Sequence, residues 1–274
     1  MLAVPVPPEQ EEEGGSPHQP RKLCTAHKST GTDSGIGSGS SWTCSNWAGS
    51  IRWQPSALVV PESEEELAAY LAASAAAAAA PGVPPRRPLK VVGYAHSWAS
   101  LYLPSSSSSD GAVGDTLALH RLAGITALHL SPDGASGTVQ VFAGTSFAQL
   151  YAELHAQGLT LAWAPGGIQG LTVGGAVAVG FHGSQLSLGG VSSVVSAVRL
   201  YSTDGTAHDL SDETDPAAMR AARMGLGVCG IVTRVTLPVV RQHHLRRRRW
   251  RLDSSDQLFA QLPTLKAQYD YFHW

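Results

Sequence analysis

Two histidines stand in glycine-containing stretches where a backbone could come close to a ligand. His96 lies in "LKVVGYAHS" (89–97), just after a short apolar run. His182 lies in "TVGGAVAVGFHGS" (172–184). Core filler, metal ligand and some less common chemical role are the three possibilities open to such a residue. A metal centre needs further ligands at credible spacing, and the sequence has no HxxxH or HExxH pattern. Three cysteines, Cys24, Cys44 and Cys229, make an odd count without a CxxC, so neither a zinc site nor a disulfide framework is expected. The absence of GxSxG removes support for a hydrolase nucleophile elbow.

The glycines carry more information. They let a backbone approach a ligand, and consecutive N–H groups can form an anion-binding nest. The 172–184 stretch has no lysine, which excludes a nucleotide P-loop. From the motif alone, a pyrophosphate cradle and a tight structural turn are equally good readings. "GLGVCG" (225–230) matches GxGxxG, but a helix precedes it and a strand follows, the reverse of the dinucleotide-binding context. Where an acidic ribose ligand would sit, about 20 residues on, the chain reads "RRRRWR".

These residues need elements to position them. Residues 57–60 and 89–92 read as strands on either side of an alanine-rich helix. That helix opens with a capping box, Ser63 to Glu66, and stops at Pro81-Gly82. Residues 116–120 read as a short strand, 125–144 as a hairpin, and 145–159 as a helix with Phe147, Leu150, Tyr151 and Leu154 on one face. A hairpin turns at Asp204-Gly205, a helix begins near Pro216, and "CGIVTRVTLPVV" is a strand. "RQHHLRRRRWRLD" reads as an edge strand with charged faces. Helices mixed with hairpins predict an α+β fold of two small subdomains rather than a doubly wound sheet.

Composition narrows the partners. The chain has 274 residues, is 43% hydrophobic and carries a formal charge of -2, so it can build a core and has no general attraction to nucleic acid. No apolar stretch reaches the roughly 18 residues of a membrane helix. Residues 1–43 are rich in Pro, Glu, Gly and Ser and are expected to be disordered. No signal peptide is read, which makes the cytoplasm the default; association with a membrane surface is left open.

Four stretches together, "CSNWAG", "KVVGYAHS", "GLTVGGAVAVGFHGS" and "ARMGLGVCGIVTRVTL", resemble the sugar-1,4-lactone oxidases of the vanillyl-alcohol-oxidase flavoprotein superfamily. The resemblance covers residues from about 44 to 240. It implies a PCMH-type FAD-binding domain over 44–240, with subdomains at about 50–123 and 124–240 and FAD between them. It implies that His96 is bonded covalently to the 8α carbon of the flavin, with Val92, Gly93, Tyr94, Ala95 and Ser97 around the pyrophosphate. Tyr94 and Ala95 depart from the glycines usual there, and Phe181 replaces a threonine. The same resemblance makes Thr172, Gly175, Gly180, His182, Gly183 and Ser184 FAD contacts. Gly227, Gly230, Ile231 and Val232 fall near the adenine or the flavin ring. Gly166 matches a position where a small residue leaves oxygen a path to the flavin.

What the resemblance implies in activity is oxidation of an aldono-1,4-lactone, with O2 as acceptor and H2O2 as product, in ascorbate-type biosynthesis. An alditol oxidase or a dehydrogenase-like relative is the alternative. Members of the family continue into a substrate domain that supplies the catalytic base, so residues 241–274 are expected to be the start of a truncated substrate domain. No catalytic base is assigned here. A flavin-binding module without turnover, and a non-flavin protein whose glycine loops are structural, are the competing readings.

Overall fold

A computed structural model describes residues 23–27, 41–82, 88–98, 114–163, 170–183, 185 and 187–271. Gly166, Ser184, most of the serine-rich loop at 105–115 and the terminal 272–274 lie outside the described residues.

Three sheets organise the chain. The first is antiparallel, β1 (Cys24–His27), β2 (Ser41–Ser45) and β3 (Arg52–Trp53), in that order. It corrects two expectations. Residues 24–27 form a strand rather than a disordered tail. Cys24 and Cys44 form a disulfide, because antiparallel pairing of β1 with β2 sets them directly opposite, with Cα atoms 4.0 Å apart. The odd count is made up by Cys229, which is free and exposed.

The second sheet is parallel: β4 (Leu58–Val59) and β5 (Leu89–Val92) flank β6 (Asp115–Ala118). The crossover from β4 to β5 runs through α1 (Glu64–Ala78). Ser63 caps it by accepting the Glu66 N–H at 3.2 Å. Glu66 completes the box one residue early, accepting the Glu62 N–H at 2.8 Å. Leu67 and Leu71 lie one turn apart and are fully buried against Leu117, Leu119 and Leu122. The first sheet packs on the end of the second. Cys44 and Trp53 cluster with Val92, Ala95 and Ala118, and the Trp53 indole donates to Thr116 Oγ1 at 3.0 Å.

The third sheet has six strands: β7 (Ile125–Leu130), β8 (Ser136–Phe142), β9 (Leu159–Leu161), β10 (Ala197–Tyr201), β11 (Ala207–Ser211) and β12 (Ile231–Arg241). Their order is β11-β10-β12-β8-β7, with β9 also paired to β12. β12 alternates without a break, burying Ile231, Thr233, Val235, Leu237 and Val239. Against it pack α2 (Phe147–His155), through Phe147, Leu150 and Leu154, and α3 (Val173–Val179), through Val173, Ala176 and Val177. α4 (Pro216–Ala222) adds Met219 and Ala222.

α1 is tied to the third sheet by one carboxylate. Glu64 is 4% exposed; its Oε1 accepts the Thr233 hydroxyl at 2.5 Å, and its Oε2 pairs with Arg234 and, at 3.5 Å, with Arg199.

Residues 242–253 correct a third expectation. They take part in no strand, and every arginine from Arg246 to Arg249 is exposed. Four adjacent like charges with both faces in water have no ladder to offset their repulsion. α5 (Ser255–Gln268) follows, with Pro263 inside it and no residue buried. Tyr271 reaches back to donate its hydroxyl to Gln185 Oε1 at 3.1 Å.

Candidate functional site

The site lies where β5 runs out. Gly93 to Ser97 leave the C-terminal end of a parallel strand, the edge at which α/β sheets bind ligands. Beside them, after β6, comes His120, whose ring lies 6.1 Å from that of Tyr94. The His120 Nδ1 is buried and, among the described residues, has no hydrogen-bond partner. Burial pushes the Tyr94 hydroxyl up and holds both His96 and His120 below the usual imidazole range, because a half-dry setting disfavours the imidazolium. His96 is therefore a neutral imidazole near neutral pH, the form in which a ring nitrogen is a nucleophile.

Ala95 has φ +50°, a left-handed conformation that costs a residue with a Cβ roughly 1–2 kcal/mol. Two contacts hold it there. The Trp47 N–H donates to the Ala95 carbonyl at 2.9 Å, and Asn46 Nδ2 donates to the Ser97 carbonyl at 3.3 Å.

The second glycine stretch is a helix, not the loop its composition suggests. Thr172 caps α3, its Oγ1 accepting the Gly175 N–H at 3.3 Å, and Gly180 closes it in the left-handed region at φ +65°. The helix is viable despite two glycines because Gly174 lies flat against Ala143, where a Cβ would come within 2.7 Å of the alanine Cβ. The two glycine stretches meet at the start of α3. A Cβ on Gly93 would run into the Thr172 hydroxyl, and a Cβ on Gly170 would sit 2.8 Å from His96 Nε2. Thus His96, Gly93, Thr172 and Gly175 converge.

Gly180, His182 and Gly183 sit at the other end of α3, about 10 Å along a seven-residue helix. His182 is exposed and its Nδ1 lies 3.1 Å from the Gly183 carbonyl. The third glycine stretch docks here: a Cβ on Gly180 would meet Met224 Sδ at 2.8 Å, and the Leu226 N–H donates to the Ala178 carbonyl at 3.3 Å. Met224 and Leu226 share positive φ with Gly227 and Gly230. Ile231 points into the core with Leu67 and Tyr201, and Val232 packs against the same cluster, so only their backbones border this loop. The arrangement is an elongated surface, with a shielded imidazole at one end and two glycine turns at the other.

Sequence reasoning missed the roles of Asn46, Trp47 and Glu64. Asn46 and Trp47 fall within a stretch that carries the family resemblance, which was a usable signal. Glu64 was visible only as part of a capping box. Among the described residues, no three His, Cys, Asp or Glu side chains group as a metal site, and no helix is long and apolar enough to cross a membrane.

A family model described as the FAD binding domain matches residues 55–211. The chain belongs to that FAD-binding family. Its relatives include the D-arabinono-1,4-lactone oxidase of Eremothecium gossypii, 31% identical over 195 residues, covering 71% of this chain and 34% of that protein. The L-gulonolactone oxidase of Mus musculus is 30% identical over 200 residues, covering 73% and 41%. The L-gulono-1,4-lactone dehydrogenase of Mycobacterium tuberculosis is 30% identical over 203 residues, covering 74% and 42%. Resemblance to the sugar-lactone oxidases thus extends across most of the chain, which itself spans only about a third to two fifths of their length. Among solved structures, cholesterol oxidase from Brevibacterium sterolicum shares the fold, with a TM-score of 0.59 at 19% identity over 73% of this chain and 37% of that one.

The fit of FAD to the residues rests on the glycines. Gly93 packs bare backbone against Thr172 and Gly170 packs it against His96 Nε2, which brings the end of β5 and the start of α3 close enough to share one ligand.

Proposed function

We propose that this chain is the FAD-binding part of an oxidoreductase that oxidises an aldono-1,4-lactone, with FAD attached through His96. The observation that carries the reading is the convergence of the two glycine stretches on a neutral, shielded imidazole. The names of the lactone-oxidising relatives supply the substrate class. FAD, when bound, supplies the hydride acceptor.

For attachment, a ring nitrogen of His96 bonds to the 8α carbon. His96 would hold the flavin through a ring nitrogen left free by its neutral form, giving up its N–H proton, and dioxygen would be the oxidant that the attachment requires. The backbone of Val92–Ser97 and the Thr172–Gly175 turn would hold the pyrophosphate. Gly180, His182, Gly183 and Ser184 would extend that track, and the Gly227–Val232 backbone would border the adenine or the ring. Gly166 would leave dioxygen its path. The division into FAD-binding subdomains at about 50–123 and 124–240, and the assignment of 241–274 to the start of a substrate domain, belong to the same proposal. The Cys24–Cys44 disulfide argues against the cytoplasmic expectation, since such bonds persist in oxidising compartments.

The test is anaerobic titration of the flavin-loaded protein, extended through its substrate domain, with gulono-, galactono- and arabinono-1,4-lactone. Bleaching of the flavin band by a lactone, and its return with peroxide on admitting air, is expected. Bleaching that air does not reverse, while an artificial acceptor does, would make it a dehydrogenase. A flavin band indifferent to every lactone would leave a flavin-binding module without turnover.

A further inference from the structure

Among the described residues, a side chain outside the glycine stretches stacks on His96. The Trp47 indole lies over the imidazole, with ring centroids 5.4 Å apart and planes at 21°. On another side of the imidazole, at Nε2, is the bare backbone of Gly170. Residues on both sides of His96 are bonded to the same turn, Ala95 by the Trp47 N–H and Ser97 by the Asn46 side chain. That turn is itself fixed. Asn46 is 3% exposed; its Oδ1 accepts the Ile51 N–H at 3.0 Å and its Nδ2 also donates to Ser50 Oγ at 3.0 Å. The Cys24–Cys44 disulfide anchors the strand from which the turn leaves.

Trp47 is 49% exposed, so it is no core residue. The ring torsion of a histidine is broad when nothing restrains it. Attack by a ring nitrogen needs its in-plane lone pair aimed at one carbon, and free rotation would spread that direction. A stacked indole permits sliding but resists rotation out of plane.

We propose that Trp47 is a positioning residue that fixes the plane of the His96 imidazole for bond formation to the flavin. This role rests on the reading of His96 as the attachment point. Trp47 need not touch the flavin; it acts through the ring that does.

The test uses the 274-residue chain prepared without flavin, alongside Trp47→Leu and Trp47→Phe. Leucine fills the space without stacking, and phenylalanine restores an aromatic face. Two readouts are taken: the NMR signals of the His96 ring, assigned by their loss in His96→Ala, and the rate at which added FAD becomes resistant to denaturation. In Trp47→Leu the ring-current shift of the His96 signals should vanish and attachment should slow about tenfold, as expected for a misaligned reacting pair. Non-covalent FAD binding should persist, and Trp47→Phe should recover most of both. Unchanged His96 signals and rate in Trp47→Leu would overturn the role. So would loss of the folded spectrum in both variants, which would make Trp47 merely structural. If the unsubstituted chain attaches no flavin, the reading of His96 fails, and the role of Trp47 with it.

Discussion

Gly93 lies against Thr172 so closely that a Cβ on the glycine would overlap the threonine hydroxyl and come within 2.7 Å of its Cγ2. The end of β5 and the cap of α3 therefore interlock, and the spacing of the two glycine stretches depends on one missing methyl group. Gly93→Ala should force Thr172 off its cap, at a cost of about 1–3 kcal/mol. Denaturant unfolding measures that loss, and equilibrium dialysis should show weakened FAD binding in the same variant.

Glu64 links α1 to β12 twice, accepting the Thr233 hydroxyl and pairing with Arg234. Glu64→Gln keeps the shape but removes the charge that pairs with Arg234, whose other contacts are the Gln140 side chain at 3.4 Å and the face of Phe142. Because Arg234 is partly exposed, water offsets some of the loss, and a destabilisation of about 2 kcal/mol is expected. Arg199 should be little affected, since Asp209 holds it at 2.7 and 2.8 Å. Chemical denaturation of Glu64→Gln beside Arg199→Gln would check the ranking, with the first the more damaging.

Ala95 is strained where glycine would not be. Ala95→Gly should relieve roughly 1–2 kcal/mol of left-handed strain, offset by about 0.4–1 kcal/mol from the freer unfolded chain and about 0.8 kcal/mol from the lost buried methyl. A melting temperature within a few degrees of the unsubstituted chain, with the Trp47 contact kept, is the expected outcome.

Protonation gives a signed prediction. His96 and His120 both have their folded pKa depressed by burial. Between the depressed values and the unfolded value near 6.5, the unfolded chain binds more protons, so stability falls as pH drops through that window and levels off below it. Melting temperatures taken between about pH 7.5 and 5.5 should decline, less steeply in His96→Ala, which removes one of the two contributions.

Much of the scaffold is written locally. The Ser63–Glu66 cap, the Asp204-Gly205 turn and the strict alternation of β12 each depend on residues close in sequence, so periodicity and turn chemistry suffice. α3 was not legible, because two glycines in seven residues argue against a helix until Ala143 is seen to require them. The disulfide was hidden by counting: three cysteines look unpaired until β1 and β2 put two of them opposite one another. The Trp47 stack on His96 and the Glu64 link to Thr233 join distant positions, and nothing local in either residue announces its partner. Resemblance marked the glycine stretches, but only the fold divides them into a group around His96 and a group at the far end of α3.

The central claim is that His96 carries the flavin. It is tested most directly by denaturing the FAD-treated chain, separating it on a gel and viewing flavin fluorescence in the protein band, with His96→Ala alongside. A fluorescent band that goes dark in His96→Ala, with the flavin mass on the His96 peptide, is the predicted result. A dark band from the unsubstituted chain, or a band that stays fluorescent in His96→Ala, would contradict it.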